Sequence, residues 1–174
     1  YVKNDMKLGK ENENDSRPLG ILEFARNNGG KTSSEKAIAL NIVLAQAGSF
    51  IAADSMRFRP FKNIITRLDG SDNMFRGQGS FAVEMSELRT VANQATPNSL
   101  VLGDEICRGT EQDSAISIMA ATIEWLCGTL KTNFIFSSHY HELLDYEEIS
   151  KLTKAGILNV FHFRAYPDPK SGAI

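Results

Sequence analysis

The sequence lacks a strong excess of charge of either sign, and this absence limits what the chain can bind alone. Its 19 lysines and arginines nearly balance 21 aspartates and glutamates over 174 residues, which gives a formal net charge of −2. Binding to nucleic acid through bulk charge needs a basic excess, so we do not expect an independent DNA-binding module. Apolar residues at 42% and charged residues at 23% are close to the averages of globular domains, which excludes a fully disordered or collagen-like chain.

Cysteine is also scarce, and long apolar runs are missing. Cys107 and Cys127 fit no metal-ligand spacing, and two thiols in a chain with a sizeable core favour a reducing, intracellular setting. No apolar run approaches the roughly 20 residues of a membrane span, and the polar first residues predict no signal peptide. We expect an intracellular protein without a membrane partner, in the cytoplasm, the nucleus, an organelle or a viral factory. Because the first residue is Tyr1 and not methionine, we expect a fragment of a longer protein.

Strand-like and helix-like segments alternate along the chain, whose length predicts one domain over residues 1–174. The charged, asparagine-rich stretch 7–18 predicts a mobile loop. Short apolar segments predict strands at 19–24, 61–68, 99–103 and 132–137. Longer segments rich in helix formers predict helices at 32–47, 81–94 and 114–129. This alternation predicts an α/β domain with a mostly parallel sheet flanked by helices.

A glycine-rich segment joins the first predicted strand to the first predicted helix. Residues 25–32 read A-R-N-N-G-G-K-T, which follows the phosphate-loop pattern G-x-x-x-x-G-K-[ST] everywhere except at its first position. Lys31 would place its ammonium on the β- and γ-phosphates, and the hydroxyl of Thr32 would ligate Mg²⁺. Backbone N–H groups of the loop and of the helix start would bind the phosphates, from Asn27, Asn28, Gly29, Gly30 and Ser33. The alternative is a glycine turn that only starts a helix.

An acidic pair follows the third apolar segment. The run S-L-V-L-G leads directly into Asp104 and Glu105, and an apolar strand that ends in Asp-Glu is typical of a Walker B element. Asp104 would hold Mg²⁺ through its water shell, whereas Glu105 would orient and polarise the attacking water. Because side chains alternate along a strand, the two carboxylates should point in different directions. The alternative is a strand that ends in a solvated acidic turn.

A histidine follows the last predicted strand. We predict that His139 reaches the γ-phosphate of a bound nucleotide and senses it. His141 stands two residues further on, a spacing that also permits a metal site. Apart from the distant His162, no further ligand is evident, so we favour structural roles for His141 and His162.

Together these segments resemble the ATPase domain of the MutS family of DNA mismatch-repair proteins, which belongs to the ATP-binding-cassette (ABC) class. S-F-A-V-E-M-S-E at 80–87 is similar to the family's S-T-F-M-x-E-M-x-E. Residues 95–110 are similar to A-T-x-x-S-L-V-L-x-D-E-I-G-R-G-T, and S-S-H-Y-H-E-L at 137–143 is similar to T-H-Y-x-E-L. I-L-N-V-F-H at 157–162 resembles a later strand of the family. The sequences of residues 74–77 and 81–90 are most similar to those of a divergent branch of the family, which is found in giant viruses, some bacteria and coral mitochondria.

The resemblance implies an ABC-ATPase-like phosphate-loop fold that binds and hydrolyses ATP with Mg²⁺. It also implies a head-to-tail pair, either a homodimer or a pair with a MutS-like subunit, in which each ATP lies between two chains. DNA would be contacted by domains absent from this chain. Tyr1 would stack on adenine, and five residues would face the partner's nucleotide or the dimer seam: Gly79, Ser80, Phe81, Gly109 and Thr110.

Three departures from the family pattern put fast hydrolysis in doubt. Ala25 replaces the first glycine of the phosphate loop, at a backbone cost of order 1 kcal/mol. Gly79 stands where the family has a serine that donates to the partner's γ-phosphate, and Cys107 replaces a glycine. The alternative function is therefore a degenerate nucleotide-sensing and dimerisation module that binds ATP with little turnover. An ATPase of the chromosome-maintenance type would carry inserted coiled coils, and no heptad array is present.

Overall fold

Strands and helices alternate along the chain. The structure is a computed structural model, and it describes residues 5–9, 15, 17–25, 30–67, 80–107 and 111–163. Of Ser80 it describes the backbone alone. Five strands are described: β1 (Gly20–Phe24), β2 (Asn63–Arg67), β3 (Ser99–Asp104), β4 (Asn133–Ser138) and β5 (Leu158–His162). Four α-helices connect them: α1 (Lys31–Gln46), α2 (Ser80–Gln94), α3 (Gln112–Trp125) and α4 (Glu147–Lys154).

All described strand pairs of the sheet are parallel, in the order β2-β3-β4-β1-β5. Parallel neighbours require crossover connections, which the helices supply. The predicted α/β class with a parallel sheet flanked by helices is therefore confirmed. Because β4 lies between β3 and β1, the carboxyl ends of these three strands meet at one edge, where open α/β sheets bind their ligands.

Two apolar cores lie on opposite faces of the sheet, because side chains alternate along each strand. Ile21 and Ile135 point to a smaller core that α1 covers through Ile42. Leu22 and Phe136 point to a larger core on the face covered by α3 and α4. Strands buried on both faces read as nearly continuous apolar runs, which is why β1, β3 and β4 were visible in the sequence.

The chain after β3 packs closely on the sheet because Gly103 has no side chain. A Cβ at Gly103 would lie 2.5 Å from Cδ1 of Ile106 and 3.0 Å from Cδ1 of Phe136. Both neighbours are buried, so they have little room to move away. Gly103 therefore permits the turn that follows β3 to fold back onto the sheet.

The part of the chain from α3 onward departs most from the predictions. The helix predicted at 114–129 is α3 followed by one π-helical segment, Leu126–Leu130, which ends at Lys131 with a positive φ of 52°. The short helix α4, preceded by a 3-10 segment at His141–Asp145, was not predicted. Its first-turn glutamates and last-turn lysines complement the helix dipole, a signal that could have revealed it.

The described parts of the stretch 7–18 are held to the sheet rather than extended into solvent. Leu8 packs against the smaller core, and the N–H of Gly9 donates to the carbonyl of Pro18 at 2.8 Å. Residues 10–14 and 16 lie outside the described part of the chain. Among the helices described, none is long and apolar enough to cross a membrane.

Gly103→Ala should lower the free energy of unfolding by about 1–3 kcal/mol, because the added methyl overpacks a region that cannot expand. Gly128→Ala is the matched control, since a Cβ there meets nothing within 4 Å. Urea denaturation of both variants measures the difference. Equal stability of the two variants would contradict the close approach at Gly103.

Candidate functional site

The candidate site lies at the carboxyl edge of β1, β3 and β4, where α1 begins. Gly30 is the residue before the helix and has a φ of +92°, in the left-handed region that glycine adopts most readily. The first N–H groups of a helix have no partner within it, and the helix dipole adds positive potential there. The start of α1 therefore suits an anion at this edge of the sheet.

Lys31 is buried at the start of α1 and reaches across the edge of the sheet. Its Nζ donates to the carbonyl oxygen of Ala25 at 2.8 Å and lies 3.7 Å from Oε1 of Glu105. The ammonium is thus held between the end of β1 and the turn after β3. The structure brings these two predicted site residues, Lys31 and Glu105, together.

Asp104 connects three elements through its two carboxylate oxygens. The hydroxyl of Thr32 on α1 donates to Oδ2, and the hydroxyl of Ser137 on β4 donates to Oδ1. Asp104 and Ser137 are direct partners in the parallel register of β3 and β4. The hydroxyl and carboxylate oxygens of Thr32 and Asp104 are of the kind that Mg²⁺ prefers.

Glu105 is the first residue after β3 and leaves the strand with a positive φ of 48°. Its N–H donates to both the main-chain oxygen of Ser137 at 3.2 Å and the Ser137 hydroxyl oxygen at 3.3 Å. The Glu105 side chain points to Lys31, whereas that of Asp104 points to Thr32. The two carboxylates therefore take different directions at the same edge.

His139 follows β4 at this edge and is exposed. Its ring lies 4.0 Å from that of Tyr140, whose N–H donates to the hydroxyl of Ser138 at 3.0 Å. His141 and His162 instead stack on Phe24, with ring centroids 4.8 Å and 5.4 Å away. No group of three potential metal ligands occurs among the described residues. The structural roles favoured for the two histidines stay predictions, which their stacking on Phe24 supports.

Of the remaining predicted site residues, the structure describes some and not others. Ser33 is exposed in the first turn of α1, and Phe81 is 44% exposed on α2, which starts at Ser80. Seven others lie outside the described residues, so their roles stay predictions: Tyr1, Asn27, Asn28, Gly29, Gly79, Gly109 and Thr110.

Two of the departures from the family pattern lie among the described residues. Ala25 is buried, and its carbonyl oxygen accepts the hydrogen bond from Lys31. Cys107 is fully buried with a positive φ of 67°, a conformation that explains why glycine suits this position. Burial, and then the nearby Glu84 carboxylate, raise the pKa of the Cys107 thiol to about 11, which keeps it in the unreactive protonated form.

Sequence reasoning missed two buried glutamates beside the site. Glu23 on β1 is in register with Ser137, which itself pairs with Asp104, so the three side chains point to the α1 face of the sheet. Glu35 lies one helical turn after Thr32. Both glutamates are fully buried. Their carboxylate oxygens make no hydrogen bond of ordinary length within the described part of the chain, although the hydroxyls of Ser34 near Glu23 and of Ser137 near Glu35 are close enough to lower the pKa values of these acids slightly.

The environment of the two glutamates favours their neutral forms. Burial, and then repulsion by Asp104, raise the pKa of Glu23 to about 7. Burial, followed by Asp104 and Glu23, raises the pKa of Glu35 to about 9. Glutamate in the middle of an apolar strand and in the first turns of a helix carries no motif, so only the burial pattern could have drawn attention to this pair.

Stability should depend on pH through these buried acids. Because their pKa values are raised above the ordinary 4.5, the folded state keeps protons that the unfolded state releases. The free energy of unfolding should therefore fall as pH rises from about 4.5 to about 9. Glu35→Gln should remove most of this fall and stabilise the chain near pH 8 by on the order of 2–4 kcal/mol.

Urea denaturation across this pH range measures the effect. Glu124→Gln is the control, since Glu124 is exposed on α3 and should leave the slope unchanged. If Glu35→Gln kept the wild-type dependence on pH, the neutral form of Glu35 in the folded state would be refuted.

The amino-acid sequence of this chain is similar to those of known proteins. A family model described as MutS domain V matches residues 24–165. The mitochondrial DNA mismatch repair protein mutS homolog of Sarcophyton glaucum is 49% identical over 124 residues, 71% of this chain and 12% of that protein. DNA mismatch repair protein MutS of Fusobacterium nucleatum is 38% identical over 148 residues, 85% of this chain and 16% of that protein. MutS of Alkaliphilus oremlandii is 38% identical over 159 residues, 91% of this chain and 17% of that protein. The chain thus spans less than a fifth of the length of these relatives.

Proposed function

This chain belongs to the MutS family, and on that premise we propose that it is a Mg²⁺-dependent ATPase domain of the ABC type. One observation carries the proposal: Lys31, Thr32, Asp104 and Glu105 meet at one edge of a parallel sheet, linked by hydrogen bonds and an ion pair. Phosphoryl transfer to water requires a site for the phosphates, an ammonium group, oxygen ligands for a metal ion and a carboxylate that orients the water. The start of α1 and these four residues offer each of these groups.

Phosphate binding is assigned to the start of α1. Lys31 would exchange the Ala25 carbonyl for the β- and γ-phosphate oxygens, a stronger acceptor for an ammonium than a neutral carbonyl. Backbone N–H groups near Gly30 would bind the same phosphates. Tyr1 is proposed to stack on the adenine.

Magnesium is assigned to Thr32 and Asp104, whose hydroxyl and carboxylate oxygens fit this ion. Thr32 and Asp104 would hold the ion beside the phosphates, and Mg²⁺ would supply positive charge there. Asp104 holds its position through donors from two sides of the site, Thr32 and Ser137.

Water activation is assigned to Glu105 and phosphate sensing to His139. Glu105 carries an 18% exposed side chain, enough to reach a water molecule beside the bound phosphate. With Lys31 on the phosphates, the Glu105 carboxylate would orient that water. His139 is exposed after β4, from where it would contact the γ-phosphate.

The partner is proposed to be a second copy of this domain, or a MutS-like subunit, packed head to tail. Gly79, Ser80 and Phe81 at the start of α2 would face the partner's nucleotide, whereas Gly109 and Thr110 would lie at the dimer seam. DNA mismatch recognition in the longer protein is assigned to regions outside these 174 residues.

A second candidate is a nucleotide-sensing module with little turnover. Ala25 favours it, because a buried alanine replaces the glycine that the phosphate-loop pattern expects. This module would bind Mg²⁺ and ATP at the same residues but would fail at the chemical step.

Glu105→Gln should bind ATP as wild type does and hydrolyse it at least about 100-fold more slowly, because the amide cannot accept a proton from water. Single-turnover hydrolysis with Mg²⁺, beside nucleotide binding, measures both quantities. Glu148→Gln, an exposed change on α4, is the control. Binding without turnover in wild type and variant alike would favour the second candidate.

Lys31→Met should weaken ATP binding by at least about tenfold, because it removes a charge-assisted contact to phosphate. Titration with a fluorescent ATP analogue measures the affinity. Lys36→Met changes an exposed lysine on the same helix and should bind normally. Unchanged affinity in Lys31→Met would rule out the assigned phosphate site.

A further inference from the structure

Ser137 lies at the centre of the site although no sequence motif singled it out. It is the fifth residue of β4, fully buried, and is the register partner of Asp104 on one side and of Glu23 on the other. Because neighbouring residues of a parallel sheet point to the same face, its hydroxyl projects towards the first turns of α1. Ser137 therefore stands between the acidic end of β3 and the buried acid of β1.

The hydroxyl of Ser137 acts both as a hydrogen-bond donor and as an acceptor. It donates its proton to Oδ1 of Asp104 and accepts the N–H of Glu105 at 3.3 Å. The main-chain oxygen of Ser137 shares that N–H at 3.2 Å. One residue thus contacts both acids that the proposed function uses.

We propose that Ser137 is a positioning residue that holds Asp104 and Glu105 in their working geometry; this inference rests on the proposed ATPase function. Ser137 acts through these two residues and needs no contact with nucleotide or water. Its hydroxyl couples the Mg²⁺-binding acid to the water-orienting acid.

The two donors to Asp104 explain why such an anchor is needed. Thr32 donates to Oδ2 and Ser137 donates to Oδ1, so each hydroxyl fixes one oxygen of the carboxylate. Where the oxygen of Thr32 would instead ligate Mg²⁺, the bond from Ser137 would still hold Asp104 in place.

The backbone conformation of Glu105 is a second reason why the contacts from Ser137 are needed. Its φ of 48° is a left-handed conformation that side chains with a Cβ disfavour. The two hydrogen bonds from the Glu105 N–H to Ser137 oppose relaxation to an ordinary conformation. The adjacent Ser138 has a different task, since its hydroxyl accepts the N–H of Tyr140 in the turn that carries His139.

The test compares Ser137→Ala with Ser99→Ala. Ser99 is also fully buried and hydrogen-bonded through its hydroxyl, but it pairs with Thr96 at the opposite end of β3. Both variants lose one buried hydroxyl, so their melting temperatures should fall by similar amounts. Ser137→Thr keeps the hydroxyl and should recover the wild-type behaviour.

Three measurements distinguish a positioning role of Ser137 from a contribution to stability alone. Ser137→Ala should raise the Mg²⁺ concentration for half-maximal hydrolysis by about tenfold and lower the single-turnover rate by about tenfold, the size expected for one hydrogen bond to a charged group. ATP binding without Mg²⁺ should not change. Amide exchange at Glu105, followed by nuclear magnetic resonance without nucleotide, should become about tenfold faster, whereas Ser99→Ala should alter none of the three.

Each outcome decides the proposal. Wild-type Mg²⁺ dependence and wild-type Glu105 exchange in Ser137→Ala would overturn it, as would equal effects in Ser99→Ala. If Ser137→Ala does not fold, Ser137→Cys fills nearly the same volume with a much weaker donor and is judged by the same readouts. If wild type neither binds nor hydrolyses ATP, the proposed ATPase function fails, and unchanged Glu105 exchange in the serine variant would separately refute the positioning role.

Discussion

The site depends on a hydrogen-bonded bridge in which Asp104 accepts one hydroxyl from α1 and another from β4. Thr32 and Ser137 are 105 residues apart in sequence numbering but meet on the same carboxylate. The order β3-β4-β1 makes this possible, because it places the end of β3 beside β4 and one strand from the start of α1. With another strand order the residues of the phosphate-loop motif and of the acidic motif would lie at the same edge but would not be neighbours there.

The balance of buried charge indicates which ligand this edge can accept. Burial and the neighbouring carboxylates favour protonated Glu23 and Glu35, so the charged groups that a ligand meets among the described residues of the site are Lys31, Asp104 and Glu105. A nucleotide that arrives with a divalent cation brings less negative charge to these two carboxylates than a bare phosphate chain does, which fits the proposed dependence on Mg²⁺.

Two residues with a positive φ show where the domain tolerates strain. Cys107 occupies a left-handed conformation at full burial, and Glu105, two residues earlier, occupies one at the edge of the site, where its side chain is 18% exposed. Such conformations persist when surrounding contacts hold them. Here the contacts are the close packing of Ile106 over Gly103 and the hydrogen bonds from Glu105 to Ser137. The turn after β3 is therefore a strained segment fixed by the sheet beneath it.

The sequence by itself determined the alternation of strands and helices, since fully buried parallel strands and strong helix formers leave local patterns. It also determined the family and the candidates Lys31, Thr32, Asp104, Glu105 and His139, because motifs are local in the chain. It did not predict α4, whose eight residues are too few for a clear period. Nor did it reveal Ser137, Glu23 or Glu35, for a serine or glutamate in an apolar run resembles many others. Only the tertiary structure brought them together beside Asp104, because register across β3, β4 and β1 and burial under α1 are properties of segments far apart in the chain.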